Sequence, residues 1–108
     1  KSLNGAFFFF LYLEEVPEVL PETVTNLSNL FYGCAWFEGV NNISDWDVSN
    51  VTNMKYMFYH AYWFDQDISN WDVSNVTNMK YMFCQAYSFN QDIGNWDVSN
   101  VRNMNSMF

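Results

Sequence analysis

Basic residues are scarce in this chain. Lys and Arg together number four among 108 residues, Asp and Glu number twelve, and the formal net charge is −8. Proteins that bind nucleic acid need clustered Lys and Arg to neutralise phosphates, so the composition argues against a nucleic-acid partner. The same shortage disfavours binding to an anionic membrane surface.

Long apolar runs are also missing, because none approaches the roughly 20 residues that a membrane-spanning helix needs. We therefore expect no membrane span. Half of the residues are nevertheless hydrophobic and 21% are aromatic, which disfavours disorder. The length allows at most one folded domain.

Residues typical of a catalytic site are few. His60 is the sole histidine, and the equivalent position in the next repeat of the sequence is Gln85. The four glycines are scattered and form no phosphate-binding loop. Carboxylates recur as part of the repeat, which indicates a structural origin. We therefore expect no catalytic residues and no enzymatic activity.

An internal repeat dominates the sequence. The motif WDVSNVTNM begins at Trp46 and again at Trp71, and a near copy, WDVSNVRNM, begins at Trp96. The interval between starting positions is constant (71 − 46 equals 96 − 71), and residues 46–70 match residues 71–95 at 20 of 25 positions. A period of this size is typical of stacked repeat arrays.

Two hydrophobic periods alternate within one unit. Trp71 and Val73 alternate with Asp72, as in a strand with one buried face. A second set of apolar residues follows at the spacing of one helix face: Val76, Met79, Met82, Phe83 and Ala86. One short strand and one short helix cannot bury their apolar faces alone, so we expect the units to stack into an α/β repeat solenoid with a continuous core.

The units divide the chain into a cap and an array. We expect residues 1–18 to form a degenerate N-terminal capping segment, sealed by the phenylalanines at 7–10. The array then covers residues 19–108, as units 19–45, 46–70 and 71–95 and a partial unit 96–108. The first unit is longer than the next two, with a two-residue insertion between Glu38 and Asn42.

The strings FNQDIGNWDVSNVRNM (residues 89–104) and NMKYMFCQAYSFNQDI (residues 78–93) resemble the BspA-like repeat, a divergent leucine-rich repeat of bacterial and protist surface proteins. The resemblance is close over 46–108, looser over 19–45, and does not extend to residues 1–18. It implies a right-handed, leucine-rich-repeat-like solenoid with parallel strands on one face. It also implies a location outside the cell or on its surface, and a role in adhesion.

Asp47, Asp72 and Asp97 repeat at the outward-facing position of the expected strand. Like charges so close together repel, so a cation such as Ca²⁺, or a basic ligand, would stabilise them. The alternative is a solvated acidic face that keeps the array soluble. If the face binds a protein or glycan partner, neighbouring polar residues would contribute: Ser44, Ser69, Asn70 and Asn95.

Asparagines also recur in columns, and two interpretations compete for them. Such rows can hydrogen-bond from unit to unit and satisfy buried backbone groups. Four asparagines instead match the N-x-S/T acceptor pattern for N-glycosylation: Asn26, Asn42, Asn50 and Asn75. A buried asparagine in a ladder cannot carry a sugar, so the two interpretations exclude each other at any one site.

Three functional hypotheses follow. The first is a non-catalytic extracellular structural or adhesive protein that contacts a protein or glycan partner through its strand face. The second is a subunit of an extracellular filament, built by end-to-end stacking of a face that exposes Trp96, Met104 and Phe108. The third is a solenoid stabilised by Ca²⁺ along the aspartate column.

Overall fold

The computed structural model describes residues 2–4, 19–34 and 43–108. Regular secondary structure in these ranges consists of one 3₁₀ helix, Ile43–Asp45, and four isolated parallel β-bridges. The phenylalanines proposed to seal the cap, and the insertion before Asn42, lie outside the described residues.

Consecutive units pair through a column of asparagines. Parallel bridges join Asn26 to Asn53, Asn53 to Asn78, and Asn78 to Asn103. The last two bridges each join positions that are one sequence repeat apart, since 78 − 53 and 103 − 78 both equal 71 − 46. Ser2 is bridged to Asn26 in the same way, so the segment 2–4 adds to the first unit as each later unit adds to its neighbour.

Every second peptide group after the asparagine points along the stack. The carbonyl group of Asn53 accepts a hydrogen bond from Leu27 in the preceding unit, and the N–H of Met54 donates to Asn78 in the following unit, both at 2.9 Å. Three more donor–acceptor pairs repeat this pattern toward the following unit, at 2.8–3.0 Å: Tyr56 to Lys80, Phe58 to Met82 and His60 to Cys84. These bonds tie each unit to both neighbours.

The intervening peptide groups close turns inside the unit. The N–H of Met57 donates to the carbonyl of Met54 at 3.2 Å, and the N–H of Ala61 donates to Phe58 at 3.0 Å. Successive turns of this kind require left-handed backbone at fixed places. Positive φ occurs at Tyr56 (58°) and His60 (62°). The same two columns are left-handed in the other units, at Asn29, Gly33, Tyr81, Gln85 and Ser106.

This backbone differs from the strand and helix expected for each unit. An α-helix would need the N–H of Phe58 to bond within its own unit, whereas that N–H donates to Met82. Positive φ at Tyr56 also breaks a right-handed helix. Turns closed by a hydrogen bond between residues three apart place apolar side chains at i, i+3 and i+6, so they produce the spacing that suggested a helix. The solenoid class and its handedness stay a prediction.

Trp71 and Val73 are buried and Asp72 is exposed, so side chains alternate between core and solvent here without a strand ladder. The backbone turns instead, because the N–H of Trp71 donates to the carbonyl of Ile68 and the N–H of Val76 to that of Val73. The alternation therefore arises from turns.

Equivalent side chains touch across each seam, or contact surface, between the four units of the array. A column of phenylalanines stacks at centroid distances of 5.4, 5.5 and 5.5 Å: Phe31, Phe58, Phe83 and Phe108. Tryptophan adds a buried hydrogen bond, because Trp71 Nε1–H donates to the carbonyl oxygen of Ile43 at 3.0 Å. A buried indole N–H needs such a partner. The core is thus continuous from one unit to the next.

We predict that the preferred residue at position 85 is set by its backbone. Gln85 has a φ of 62°, where a β-branched residue is strained by about 1–3 kcal/mol and glycine is not. Gln85→Gly should therefore give a higher free energy of unfolding than Gln85→Val, as measured by urea denaturation.

Gln66 supplies the control, because it is half-buried like Gln85 but has no positive φ. There Gln66→Gly should be less stable than Gln66→Val, since glycine costs backbone entropy without relieving strain. The same order of stability at both positions would contradict the left-handed geometry.

Candidate functional site

The repeated exposed carboxylates form a single row, which we call the acidic row: Asp47, Asp72 and Asp97. Each lies between a tryptophan and a valine, and in the middle unit these are Trp71, 4% exposed, and Val73, 1% exposed. The inward side chains anchor the backbone and leave the carboxylates in solvent. The row therefore lies on a part of the chain that is anchored in the core.

A serine two residues later fixes each carboxylate. Asp72 Oδ1 accepts the Ser74 N–H at 3.0 Å and the Ser74 hydroxyl at 2.6 Å. Asp47 and Ser49 repeat both bonds at 3.0 and 2.6 Å. Aspartate commonly forms such turns with its own backbone. The pattern Asp-x-Ser is the sequence signal from which this role of the serines could have been predicted.

These hydrogen bonds offset the repulsion within the row. The Ser74 hydroxyl, and then its backbone N–H, lower the pKa of Asp72, while partial desolvation and the charges of Asp47 and Asp97 oppose this shift. Serine donors likewise lower the pKa values of Asp47 and Asp97. The serine donors therefore favour the ionised form of each carboxylate in the row.

The polar residues expected beside the row differ in how exposed they are and in whether they are already hydrogen-bonded. Asn70 and Asn95 are exposed, and each directly precedes a tryptophan. Ser69 is half-buried, and its hydroxyl donates to Asp67 Oδ1 at 2.6 Å, so its hydroxyl hydrogen already has an acceptor. Ser44 is also half-buried. The asparagines are thus the more accessible ligands for a partner.

The described ranges contain no group of three or more His, Cys, Asp or Glu side chains arranged to hold a metal ion. In the acidic row, Oδ1 of Asp72 already accepts two hydrogen bonds from Ser74. The calcium hypothesis for Asp47, Asp72 and Asp97 therefore gains no support from this geometry.

Within residues 2–4, 19–34 and 43–108, no helix is long and apolar enough to cross a membrane.

A second asparagine column, beside the bridged one, also takes part in the stacking: Asn50, Asn75 and Asn100. Asn75 Nδ2 donates to the carbonyl oxygen of Ser49, and Asn100 Nδ2 donates to that of Ser74, both at 2.7 Å. Asn50 Nδ2 makes the corresponding bond to Glu22 at 3.2 Å. These bonds have the form of the ladder that the sequence suggested.

Asn50 and Asn75 are exposed as well as hydrogen-bonded, so their glycosylation stays a prediction. Asn26 is less accessible, because it is half-buried in a β-bridge, its Oδ1 accepts the Ser28 N–H, and Ser28 is 3% exposed. Asn42, the fourth candidate, lies outside the described residues.

Of the three residues expected on an exposed end face, two are exposed and one is buried. Met104 is 42% exposed and Phe108 is 72% exposed. Trp96 is only 8% exposed, and its Nε1–H donates to the carbonyl oxygen of Ile68 at 3.1 Å. The expectation for Trp96 is wrong, because the indole packs into the seam beside Phe83, at a centroid distance of 6.3 Å.

A tyrosine surface lies on another part of the unit. Tyr56 stacks on Tyr81 at 4.9 Å, and Tyr62 stacks on Tyr87 at 5.4 Å. The ammonium group of Lys80 lies 5.5 Å from the centre of the Tyr81 ring, within the range of a cation–π contact. These rings therefore pack from unit to unit as well as facing solvent.

The single histidine belongs to this aromatic region. Its ring lies 4.1 Å from that of Tyr59, and Nδ1 lies 3.3 Å from the Tyr62 hydroxyl. Nε2 is buried without a hydrogen-bond partner in the described part of the chain. Burial lowers the pKa of His60. The ring is therefore a packing group, and its burial favours the neutral form.

We predict that Ser74→Ala raises the pKa of Asp72 toward its ordinary value of 3.8. The sign follows from loss of the hydroxyl donor, which is the largest cause of the lowering. Any stability from this hydrogen bond is present above the ordinary pKa and lost as the pH falls through the folded-state pKa. Carboxyl-carbon NMR titration measures the shift.

Ser49→Ala is the matched control, because Ser49 bonds to Asp47 and not to Asp72. This variant should raise the pKa of Asp47 alone. An unchanged Asp72 titration in Ser74→Ala would show that the serine does not hold the carboxylate.

Comparison with protein families finds a match over almost the entire chain. Residues 2–108 match the family described as "Mycoplasma protein of unknown function, DUF285". No curated protein and no solved structure matches the chain. The match begins at residue 2, so it includes the N-terminal segment that the sequence resemblance had left out. The chain belongs to the DUF285 family.

Proposed function

We propose that the chain is a BspA-like surface repeat protein that acts outside the cell as a non-catalytic structural or adhesive module. Membership of the DUF285 family is consistent with this role. On this proposal, the stacked units form a right-handed solenoid of the leucine-rich-repeat type. A partner protein or glycan binds the face that carries the acidic row.

The observation that carries the proposal is the acidic row itself. Its carboxylates repeat from unit to unit, are exposed, and are fixed by serine hydrogen bonds. Fixed charges lose little conformational freedom on binding, which favours affinity. Complementary charge on a partner would add specificity and speed association. The row therefore suits a partner that presents regularly spaced basic groups.

A lysine-rich peptide provides a direct probe of this face. The triple variant Asp47→Asn, Asp72→Asn, Asp97→Asn keeps a carbonyl oxygen for each turn but removes the charges. We predict binding weaker by about tenfold or more, measured by calorimetry at physiological ionic strength, since an interfacial charge pair contributes on the order of 1.4 kcal/mol or more.

The control variant neutralises three exposed aspartates outside the row: Asp45, Asp65 and Asp92. Its net charge changes by the same amount as in the first variant. A difference in binding between the two variants therefore reports the position of the charges and not their number. Equal loss of binding in both variants would mean that net charge alone attracts the peptide, and the proposed face would be wrong.

A second candidate function is end-to-end assembly into a filament. The repeated backbone bonds between units support it, because a unit of one copy can offer the same N–H and carbonyl groups to a unit of another. Met104 and Phe108 are exposed apolar side chains of the fourth unit and would lie near such a contact. A contact between two unlike faces that does not close produces a fibre. Trp96 is buried and takes no part in this version of the hypothesis.

Negative-stain microscopy of the purified chain tests the assembly. We predict extended particles in the unchanged protein and short particles in the variant Met104→Ser, Phe108→Ser. Lys55→Ser, far from this face, is the control and should leave the particles extended. Short particles of one size in every sample would rule out the filament.

A further inference from the structure

A polar groove lies between the third and fourth units, beside the acidic row. Its volume is about 340 Å³, near the lower end of the range for small-ligand sites. Six residues line it: Asn75, Thr77, Ser99, Asn100, Val101 and Arg102. We call it the Arg102 groove. Val101 is the one apolar side chain in this lining, so hydrogen bonds must dominate any recognition there.

Arg102 replaces a threonine of the repeat. The N–H of Thr52 donates to Thr25, that of Thr77 donates to Thr52, and that of Arg102 donates to Thr77, all at 2.8 Å. The backbone of Arg102 therefore makes the same hydrogen bond to the preceding unit as the backbone of each threonine does. The substitution changes the side chain and leaves the stacking in place.

The side chain of Thr77 is hydrogen-bonded to the preceding unit, whereas that of Arg102 makes no such bond among the described residues. Thr77 Oγ1 lies 3.2 Å from the carbonyl oxygen of Thr52 and donates to it. The guanidinium group of Arg102 makes no hydrogen bond or ion pair within the part of the chain that the structure describes, and the residue is exposed. Five N–H donors thus remain available at the groove.

The groove surrounds this cation with neutral hydrogen-bonding groups. Asn75 and Asn100 each use one Nδ2 hydrogen on the preceding unit. A primary amide has a second hydrogen and an acceptor oxygen, so each keeps groups for a ligand. None of the residues that line the groove is acidic. In a chain with a net charge of −8, this is an unusual local environment.

We propose that the Arg102 groove binds a carboxylate-bearing sugar, such as a uronic acid residue of an acidic glycan. The guanidinium plane matches a carboxylate, with which it forms two parallel hydrogen bonds. The amides of Asn75 and Asn100 suit the hydroxyl groups of a sugar ring. The Ser99 hydroxyl donates to Asp97, so its oxygen serves a sugar only as an acceptor. The groove volume accommodates about one sugar unit.

This site adjoins the face proposed for the partner but differs from it in chemistry. Asp97 and Ser99 are hydrogen-bonded through Asp97 Oδ1 and the Ser99 N–H at 3.0 Å, so the groove and the acidic row are neighbours. Their chemistry is opposite, because one presents a cation and the other presents carboxylates. The two proposals are tested separately, because Arg102→Thr keeps the acidic row and the aspartate variants keep Arg102.

NMR titration of the chain with glucuronate tests the proposal, with glucose and acetate as comparison ligands. Arg102→Thr restores the residue found at Thr52 and Thr77, so the variant should fold. We expect glucuronate to shift the amide signals of residues 75–77 and 99–102. Binding should be about tenfold weaker in Arg102→Thr, as loss of a charged hydrogen bond predicts.

Lys80→Gln is the control, because it removes one positive charge at a place where the lysine lies over Tyr81. It should bind glucuronate as the unchanged chain does. If Arg102→Thr binds glucuronate as tightly as the unchanged chain, the proposed site is wrong. If Lys80→Gln loses as much affinity as Arg102→Thr, net charge alone attracts glucuronate, and the proposed site is again wrong. Glucose binding as tightly as glucuronate, or acetate doing so, would overturn the acidic-sugar assignment.

Discussion

The structure depends on the direction of alternate peptide groups. From Asn53 to His60, every second N–H points to the following unit, and the carbonyl of the same peptide group points to the preceding one. Neighbouring units are thereby bound through the backbone, whatever their side chains. Because the peptide groups between them close turns, each unit can bond on both sides without forming a long strand.

This arrangement fixes where the side chains lie. Equivalent residues are held at contact distance, so aromatic rings form stacks such as Phe31, Phe58 and Phe83, with centroids 5.4 and 5.5 Å apart. The acidic row is the solvent-facing counterpart of these stacks, and Ser74 shows how its charges are accommodated. A change on an exposed column, as at Arg102, can create a new site without disturbing the frame.

The sequence predicted the repeat and its columns, because identity at a constant spacing is explicit. It did not predict the local backbone. Tyr56 and Tyr81 are left-handed without being glycine, and unit-to-unit hydrogen bonds favour that conformation over a helix. Trp96 was misplaced because the partial unit was treated as an open end, whereas its indole reaches Ile68. The groove depends on one substitution, Arg102, whose surroundings only the fold brings together.

Scalar coupling through hydrogen bonds tests the arrangement most directly, because it identifies donor and acceptor residues together. We predict coupling from the Phe58 amide nitrogen to the carbonyl carbon of Met82, its acceptor at 2.9 Å. Coupling from Phe58 to the carbonyl carbon of Met54, four positions earlier, would instead indicate an α-helix. That result would contradict the proposed link between units.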